Sequence, residues 1–166
     1  MADLAELNED FADVIRAFLD ESVDFVVVGA HALAAHGVVR GTGDLDLLVR
    51  PTADNAQRVA RALIAFGAPL ASHGVDATDF ARRGTVYQLG LPPSRIDVLT
   101  EISGVDYEEV AASSEATSLS GLAFRVPSRA ALLRNKKAAG RPKDIEDARL
   151  LEALDGLEPR RTPRRS

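Results

Sequence analysis

The sequence predicts an α/β (α+β) fold in which a mixed β-sheet is flanked by helices and followed by a helical C-terminal segment. Three observations lead there. Short apolar runs at residues 25–28, 45–49, 85–89 and 95–99 have the length and β-branched or aromatic character of strands. Residues 3–20 repeat Leu4, Leu7, Phe11, Val14, Ile15 and Phe18 at three- and four-residue steps, the period of a helix with one apolar face. Helices and strands alternate through the first half and strands then follow one another, which suits a mixed sheet with helices packed on it.

The elements follow in order. After the first helix, Phe25 to Val28 form a continuous apolar run, expected as a buried strand that Gly29 ends. Residues 30–36 are alanine-rich and stop at Gly37, which reads as a short helix. Residues 45–49 are the second strand. Thr52 is placed to cap a helix over residues 53–66, closed by Gly67. Residues 68–83 read as irregular and polar. Two further strands, 85–89 and 95–99, are joined through Gly90, Pro92 and Pro93. A short helix is expected over 107–112. Residues 117–126, with Gly121 inside, fit either a hairpin or one bent strand. Ser128 would cap a helix to residue 139; Gly140 and Pro142 interrupt, and a last helix spans 143–154.

A chain of 166 residues suits one domain with its own hydrophobic core, and 46% hydrophobic with 27% charged residues is ordinary globular composition. One domain is expected over residues 1–155, with a basic tail at 156–166. There is no cysteine, which excludes disulfides and thiolate metal sites. His31, His36 and His73 lack zinc-ligand spacing. Any metal would sit on oxygen ligands, which favours Mg²⁺, Mn²⁺ or Ca²⁺. No apolar run approaches a membrane span, and the acidic N-terminus does not read as a secretory signal, so a cytoplasmic protein without a membrane partner is expected. The net charge is −5, and four arginines fall within the closing RRTPRRS, so the body is more acidic still. That argues against broad nonspecific nucleic-acid binding. The tail reads as a disordered, solvated end in preference to a contact for RNA.

The chemistry concentrates between residues 25 and 50. Along a strand, residues i and i+2 face the same way, so Asp44 and Asp46 share one face while Leu45, Leu47 and Val49 share the other. By the same rule Asp97 lies opposite Ile96 and Val98, and joins the pair if the two strands are neighbours. Adjacent carboxylates raise one another's pKa unless a cation intervenes. Three of them suit the two-metal clamp used for in-line phosphoryl transfer. Gly29 allows close backbone approach, and the helix start after it offers free N–H groups to a phosphate. Arg40 and Thr42 add a cation and a hydroxyl. Taken singly, each element also reads blandly: a solvated strand face, an ordinary strand-to-helix turn, a surface aspartate. In this order and on these faces they read together as a site. His31 fits a helix surface, and Tyr87 fits packing better than stacking on a base.

The stretch VVVGAHALAAHGVVRGTGDLDLLV resembles the signature of the DNA polymerase beta-like nucleotidyltransferase superfamily: an apolar strand, two small residues, a spacer, Asp-x-Asp and a later third Asp. Those positions are Gly29, Ala30, Asp44, Asp46 and Asp97. The segment SRAALLRNKKAAGRPKDIEDARLLEAL resembles the Lys-x-x-Ala-x-Arg-x-Lys-Asp-x-x-Asp segment of small bacterial members related to AbiEii-type toxins, with Lys137, Arg141, Lys143, Asp144 and Asp147 in the matching places. The resemblance covers roughly residues 10–155. It implies a minimal nucleotidyltransferase core that binds Mg²⁺ or Mn²⁺ on Asp44, Asp46 and Asp97, with Asp97 also helping to activate an acceptor hydroxyl. It implies an NTP donor held by Gly29 and Ala30, with Lys137 and Arg141 contacting phosphate, and an RNA, protein or small-molecule acceptor. A cognate antitoxin or toxin is an implied partner. The family usually carries Gly or Ser where Ala30 stands, so a hydroxyl is missing while the N–H remains.

A nucleotide- or partner-binding module without catalysis is the alternative on the same fold. A nicotinamide-binding domain is disfavoured because His31 and Ala34 stand where its glycines belong. A dehalogenase-like phosphatase would carry its Asp-x-Asp after the first strand, and here the pair lies on the second.

Overall fold

Strand β1, Phe25–Val28, is buried along its whole length, as its unbroken run of Phe and Val requires. The computed structural model describes residues 7–40 and 43–155. Helix α1, Glu9–Asp20, precedes β1; Asn8 caps it by accepting from the Asp10 N–H at 2.8 Å, and Phe11, Val14, Ile15 and Phe18 form its buried stripe. The helix is therefore shorter than its apolar period suggested. Leu7 precedes the cap, and Leu4 lies outside the described residues. Helix α2, Gly29–Ala35, follows β1 directly, and strand β2 is Leu45–Val49. Helix α3, Ala53–Phe66, starts at Thr52, whose side chain accepts from the Asn55 N–H, and ends at Gly67 in the left-handed conformation (φ 107°). Both ends coincide with the sequence expectation.

Strands β3, Val86–Leu89, and β4, Ile96–Leu99, complete a sheet in the order β1-β2-β4-β3. Only the β2–β4 pair is parallel; β1–β2 and β3–β4 are antiparallel. The stretch 68–83 is more ordered than its polarity suggested. A 3-10 turn, Ala77–Ala81, is closed by a reciprocal cap between Asp76 and Asp79, and it inserts Phe80 into the core edge-on to Tyr87. Helix α4 is Tyr107–Ser113. Strands β5, Glu115–Leu119, and β6, Leu122–Val126, resolve the choice at 117–126 in favour of a hairpin. Ser120 and Gly121 both take positive φ (52° and 76°), the backbone that a tight two-residue hairpin turn needs. Helices α5, Arg129–Ala139, and α6, Pro142–Asp155, close the described chain, with Ser128 capping α5 and Gly140 between them.

Alternation sorts the sheet residues to two faces. Phe25, Val27, Leu45, Leu47, Val49, Ile96 and Val98 enter the main core beneath α1 and α3. Val26, Val28 and Leu48 form a smaller core with Val105, Tyr107 and Val110, beneath α4. This second face is apolar only at the α4 end. Toward the beginnings of β2 and β4 it turns acidic, through Asp46 and Asp97 to Asp44. Fully buried Asn55 locks the opposite end of the strands. It accepts from the Asp24 N–H at 2.7 Å and donates to the Asp24 and Arg50 carbonyls at 3.0 Å each. Among the described residues, no helix is long and apolar enough to cross a membrane.

Candidate active site

The site begins where β1 runs into α2. Gly29 takes φ +69°, and no side chain caps the helix start. The antiparallel register sets Val28 opposite Asp46, so the Asp46 carboxylate lies against the turn. A Cβ on Gly29 would stand 2.1 Å from Asp46 Oδ2, which only glycine avoids. Ala30 is fitted in a similar way. A Cβ on Gly43 would lie 2.5 Å from the Ala30 Cβ, so the methyl of Ala30 packs on the backbone that leads into Asp44.

The parallel pairing of β2 with β4 sets Asp46 opposite Asp97. The Leu45 N–H donates to the Arg95 carbonyl at 3.0 Å, continuing the ladder. The three aspartates thus occupy one region of one face. Burial is the largest cause that pushes the Asp46 carboxyl up to about 7; the charge and hydrogen bond of Asp97 and then the charge of Asp44 add to it, against a pull from Lys136.

Arg95 is a site residue that sequence reasoning passed over. Its Nη2 lies 3.1 Å from Asp44 Oδ2 and its Nε 3.1 Å from Asp97 Oδ1. Nη2 also donates to Asp97 Oδ2 at 3.4 Å. The Nε contact is close but off line, and Asp97 Oδ1 is buried without a directed hydrogen bond. The signal was available. Arg95 precedes Asp97 by two residues, so it shares its face, and the register that pairs 46 with 97 brings 95 beside 44.

The opposite wall comes from α5, α6 and the segment before β2. Lys136 is buried and lies 3.3 Å from Asp147 and 3.5 Å from Asp144, both of which are buried. Arg40 pairs with Asp147 at 2.5 Å, and Arg141 donates to Asp144 at 2.6 Å. Burial alone would raise the Asp144 carboxyl; the Arg141 hydrogen bond and the charges of Lys136 and Arg141 outweigh it and hold the group below its usual value.

One expectation is corrected here. Lys137 does not reach the cleft: it is exposed and pairs with Glu152 at 2.7 Å. Lys136 does reach it, and counting Lys-x-x-Ala-x-Arg back from Arg141 through Ala139 also arrives at 136, so the spacing carried the right residue. The cleft encloses about 670 Å³ and brings together Gly29, Ala30, Arg40, Asp44, Asp46, Asp97 and Arg141. Lys143 also lines it and forms no ion pair among the described residues. Thr42 lies outside the described residues. His31 is half-buried and edge-on to Phe11 at 5.5 Å, not a helix-surface residue. Tyr87 is a packing residue whose hydroxyl meets His73 Nδ1 at 2.7 Å.

The donor set can be tested against a divalent cation. Among the described residues, no three carboxylate or imidazole groups converge into a ready metal-binding group. The guanidinium of Arg95 lies between Asp44 and Asp97. The remaining chemistry fits a hard cation: all the donors are oxygens, Asp46 stands opposite Asp97 across the strand pair, and Asp97 Oδ1 is buried and under-satisfied. Asp46 suits such an ion directly, and Asp44 and Asp97 suit it once Arg95 withdraws.

The raised Asp46 group has a consequence for stability. Asp46 stays protonated in the folded protein between the ordinary aspartate value and about 7, so its contribution to metal-free stability is full below that window and is lost as pH rises through it. Asp46→Asn removes the titration. In EDTA, the variant is expected to be more stable than wild type at pH 8, by on the order of 3 kcal/mol, with the gap closing toward pH 4. Urea unfolding across pH checks this; a gap that does not vary with pH would contradict it.

No protein-family model matches the chain, and no curated protein matches it. Among solved structures, it is similar to a candidate nucleotidyltransferase of Thermotoga maritima, with a TM-score of 0.54 and 15% identity over 95% of this chain and 100% of that one. At that identity the likeness establishes the fold: a mixed α/β architecture of the nucleotidyltransferase kind.

Proposed function

We propose that the chain is a metal-dependent nucleotidyltransferase that moves a nucleoside monophosphate from an NTP to a hydroxyl on tRNA, a protein side chain or a small molecule. The observation that supports this most is the register of β2 on β4, which sets Asp46 against Asp97 at the floor of a cleft ringed by cations. The likeness to the Thermotoga candidate enzyme supports the same reaction class.

Each residue has a part in this reading. Gly29 and Ala30 offer backbone N–H groups at an uncapped helix start, and Lys143 and Arg141 offer positive charge to the triphosphate. Lys136, held between Asp144 and Asp147, keeps α5 and α6 together behind them. Asp97 or Asp46 accepts the proton of the acceptor hydroxyl. The hydroxyl oxygen bonds to the α-phosphorus, the bond to the bridging oxygen breaks, and pyrophosphate leaves with the electron pair. A divalent cation on Asp46, Asp97 and Asp44 would supply charge neutralisation and a lowered hydroxyl pKa. A place in a toxin–antitoxin pair is proposed only from the resemblance of the C-terminal segment.

Labelled NTPs with Mg²⁺ or Mn²⁺ and a panel of acceptors test the reading. Wild type is expected to transfer label, and Asp46→Ala to lose at least about a hundredfold in rate. An identical blank for both proteins across acceptors and metals would sink it. The second reading, a binding module without catalysis, is favoured by Arg95 spanning Asp44 and Asp97 and by the hydroxyl missing at Ala30. Binding of ATP that needs Mg²⁺ and never leads to transfer would select it.

A further inference from the structure

We infer that Arg95 is the internal counter-ion of the carboxylate cluster: it spans Asp44 and Asp97 in the metal-free protein and gives them up when a divalent cation binds. This rests on the proposed metal-dependent reading of the site. The geometry assigns it. The guanidinium contacts both carboxylates, at 3.1 Å each, and leaves Asp46 facing Asp97 across the parallel strand pair. Without a cation, three carboxylates on adjoining strand ends repel one another; one planar fork spanning two of them relieves much of that.

The same contact is incompatible with metal binding. An oxygen lone pair turned to the fork is not available to an ion that needs oxygens at close range. Arg95 and the cation therefore compete for Asp44 and Asp97. The contact is built to yield. The Nε pairing is off line, Asp97 Oδ1 retains unused acceptor capacity, and the Arg95 side chain is about one-third exposed where it lines the cleft. Released, the guanidinium needs no passage through the core. It stays at the cleft beside Asp44, where it can meet a phosphate.

Arg141 provides the control. It lines the same cleft and carries the same charge, but its guanidinium holds Asp144 and not the cluster. Removing it changes the general field without freeing Asp44 or Asp97.

The test titrates Mn²⁺ alone into wild type, Arg95→Gln and Arg141→Gln by calorimetry, with thermal unfolding in EDTA and in saturating Mn²⁺. Arg95→Gln is expected to bind Mn²⁺ about tenfold tighter than wild type, the gain when a competent fraction near one-tenth becomes the whole population. Arg141→Gln is expected to change the affinity by less than about threefold on the same scale. In EDTA, Arg95→Gln is expected to melt below wild type, and Mn²⁺ to narrow the gap. Arg95→Lys, which keeps the charge but loses the fork, gives a second route if the glutamine variant does not fold; it too is expected to bind Mn²⁺ more tightly than wild type. Equal or weaker binding in the Arg95 variants, or an equal gain in Arg141→Gln, overturns the inference and leaves the proposed function standing. No Mn²⁺ binding by any of the proteins overturns both.

Discussion

Gly29→Ala is expected to cost the chain roughly 2–5 kcal/mol of stability and to disable the carboxylate cluster at the same time. Two penalties act together. The backbone at Gly29 is left-handed, which costs a residue with a Cβ about 1–2 kcal/mol. The new Cβ would also stand 2.1 Å from Asp46 Oδ2, so either the carboxylate swings away or the helix start shifts. Overpacking of that kind costs about 1–3 kcal/mol. Gly67 separates the two effects. It is also left-handed, but nothing lies within 4 Å of a Cβ added there. Gly67→Ala should therefore carry the backbone penalty alone and leave Mn²⁺ binding at the wild-type level. Urea unfolding and Mn²⁺ titration of both variants check this. Equal behaviour of the two would show that the Gly29–Asp46 contact does not matter.

Replacing either of two neighbouring lysines with methionine should give opposite results. Lys136 is buried against Asp144 and Asp147, and Asp147 is fully buried. Lys136→Met leaves buried carboxylates short of a cation, a change that costs about 3–5 kcal/mol when no other partner remains. Arg141 still holds Asp144 and Arg40 still holds Asp147, so the expected loss is about 2–3 kcal/mol, below that range. Lys137 makes an exposed pair with Glu152, and Lys137→Met is expected to stay within about 0.5 kcal/mol of wild type. Denaturant midpoints decide the matter. A larger loss for Lys137 would place the wrong lysine in the wall of the cleft.

The two lysines also show how far sequence reading reaches. The motif points at a lysine on this helix, and Lys137 lies one position beyond Lys136, about 100° away around the helix and on its outer face. The spacing from Arg141 and Ala139 reaches Lys136, and the tertiary structure separates the two lysines by burying Lys136 with Asp144 and Asp147 while Lys137 pairs with Glu152 on the surface. Arg95 shows another limit. Alternation put it on the face of Asp97, yet a strand's own sequence does not say which strand lies beside it, and Arg95 acquires its partner Asp44 only through β2. The 3-10 turn around Phe80 was missed because its polar residues masked a reciprocal cap that buries one large side chain.

The sequence by itself determined what depends on near neighbours. The strand alternation sets Asp44, Asp46 and Asp97 against the apolar faces of their strands, while Thr52, Ser128, Gly67 and Gly140 set helix ends. These rules act within a few residues and do not need the rest of the chain. Tertiary structure alone decided that β2 lies parallel to β4 with 46 opposite 97, that α5 and α6 bury Lys136 with two aspartates, and that Arg95 spans two carboxylates. Those choices are made by packing the two different faces of the sheet at once, since a slip of one residue would exchange a strand's main-core side chains with those of the carboxylate-bearing face.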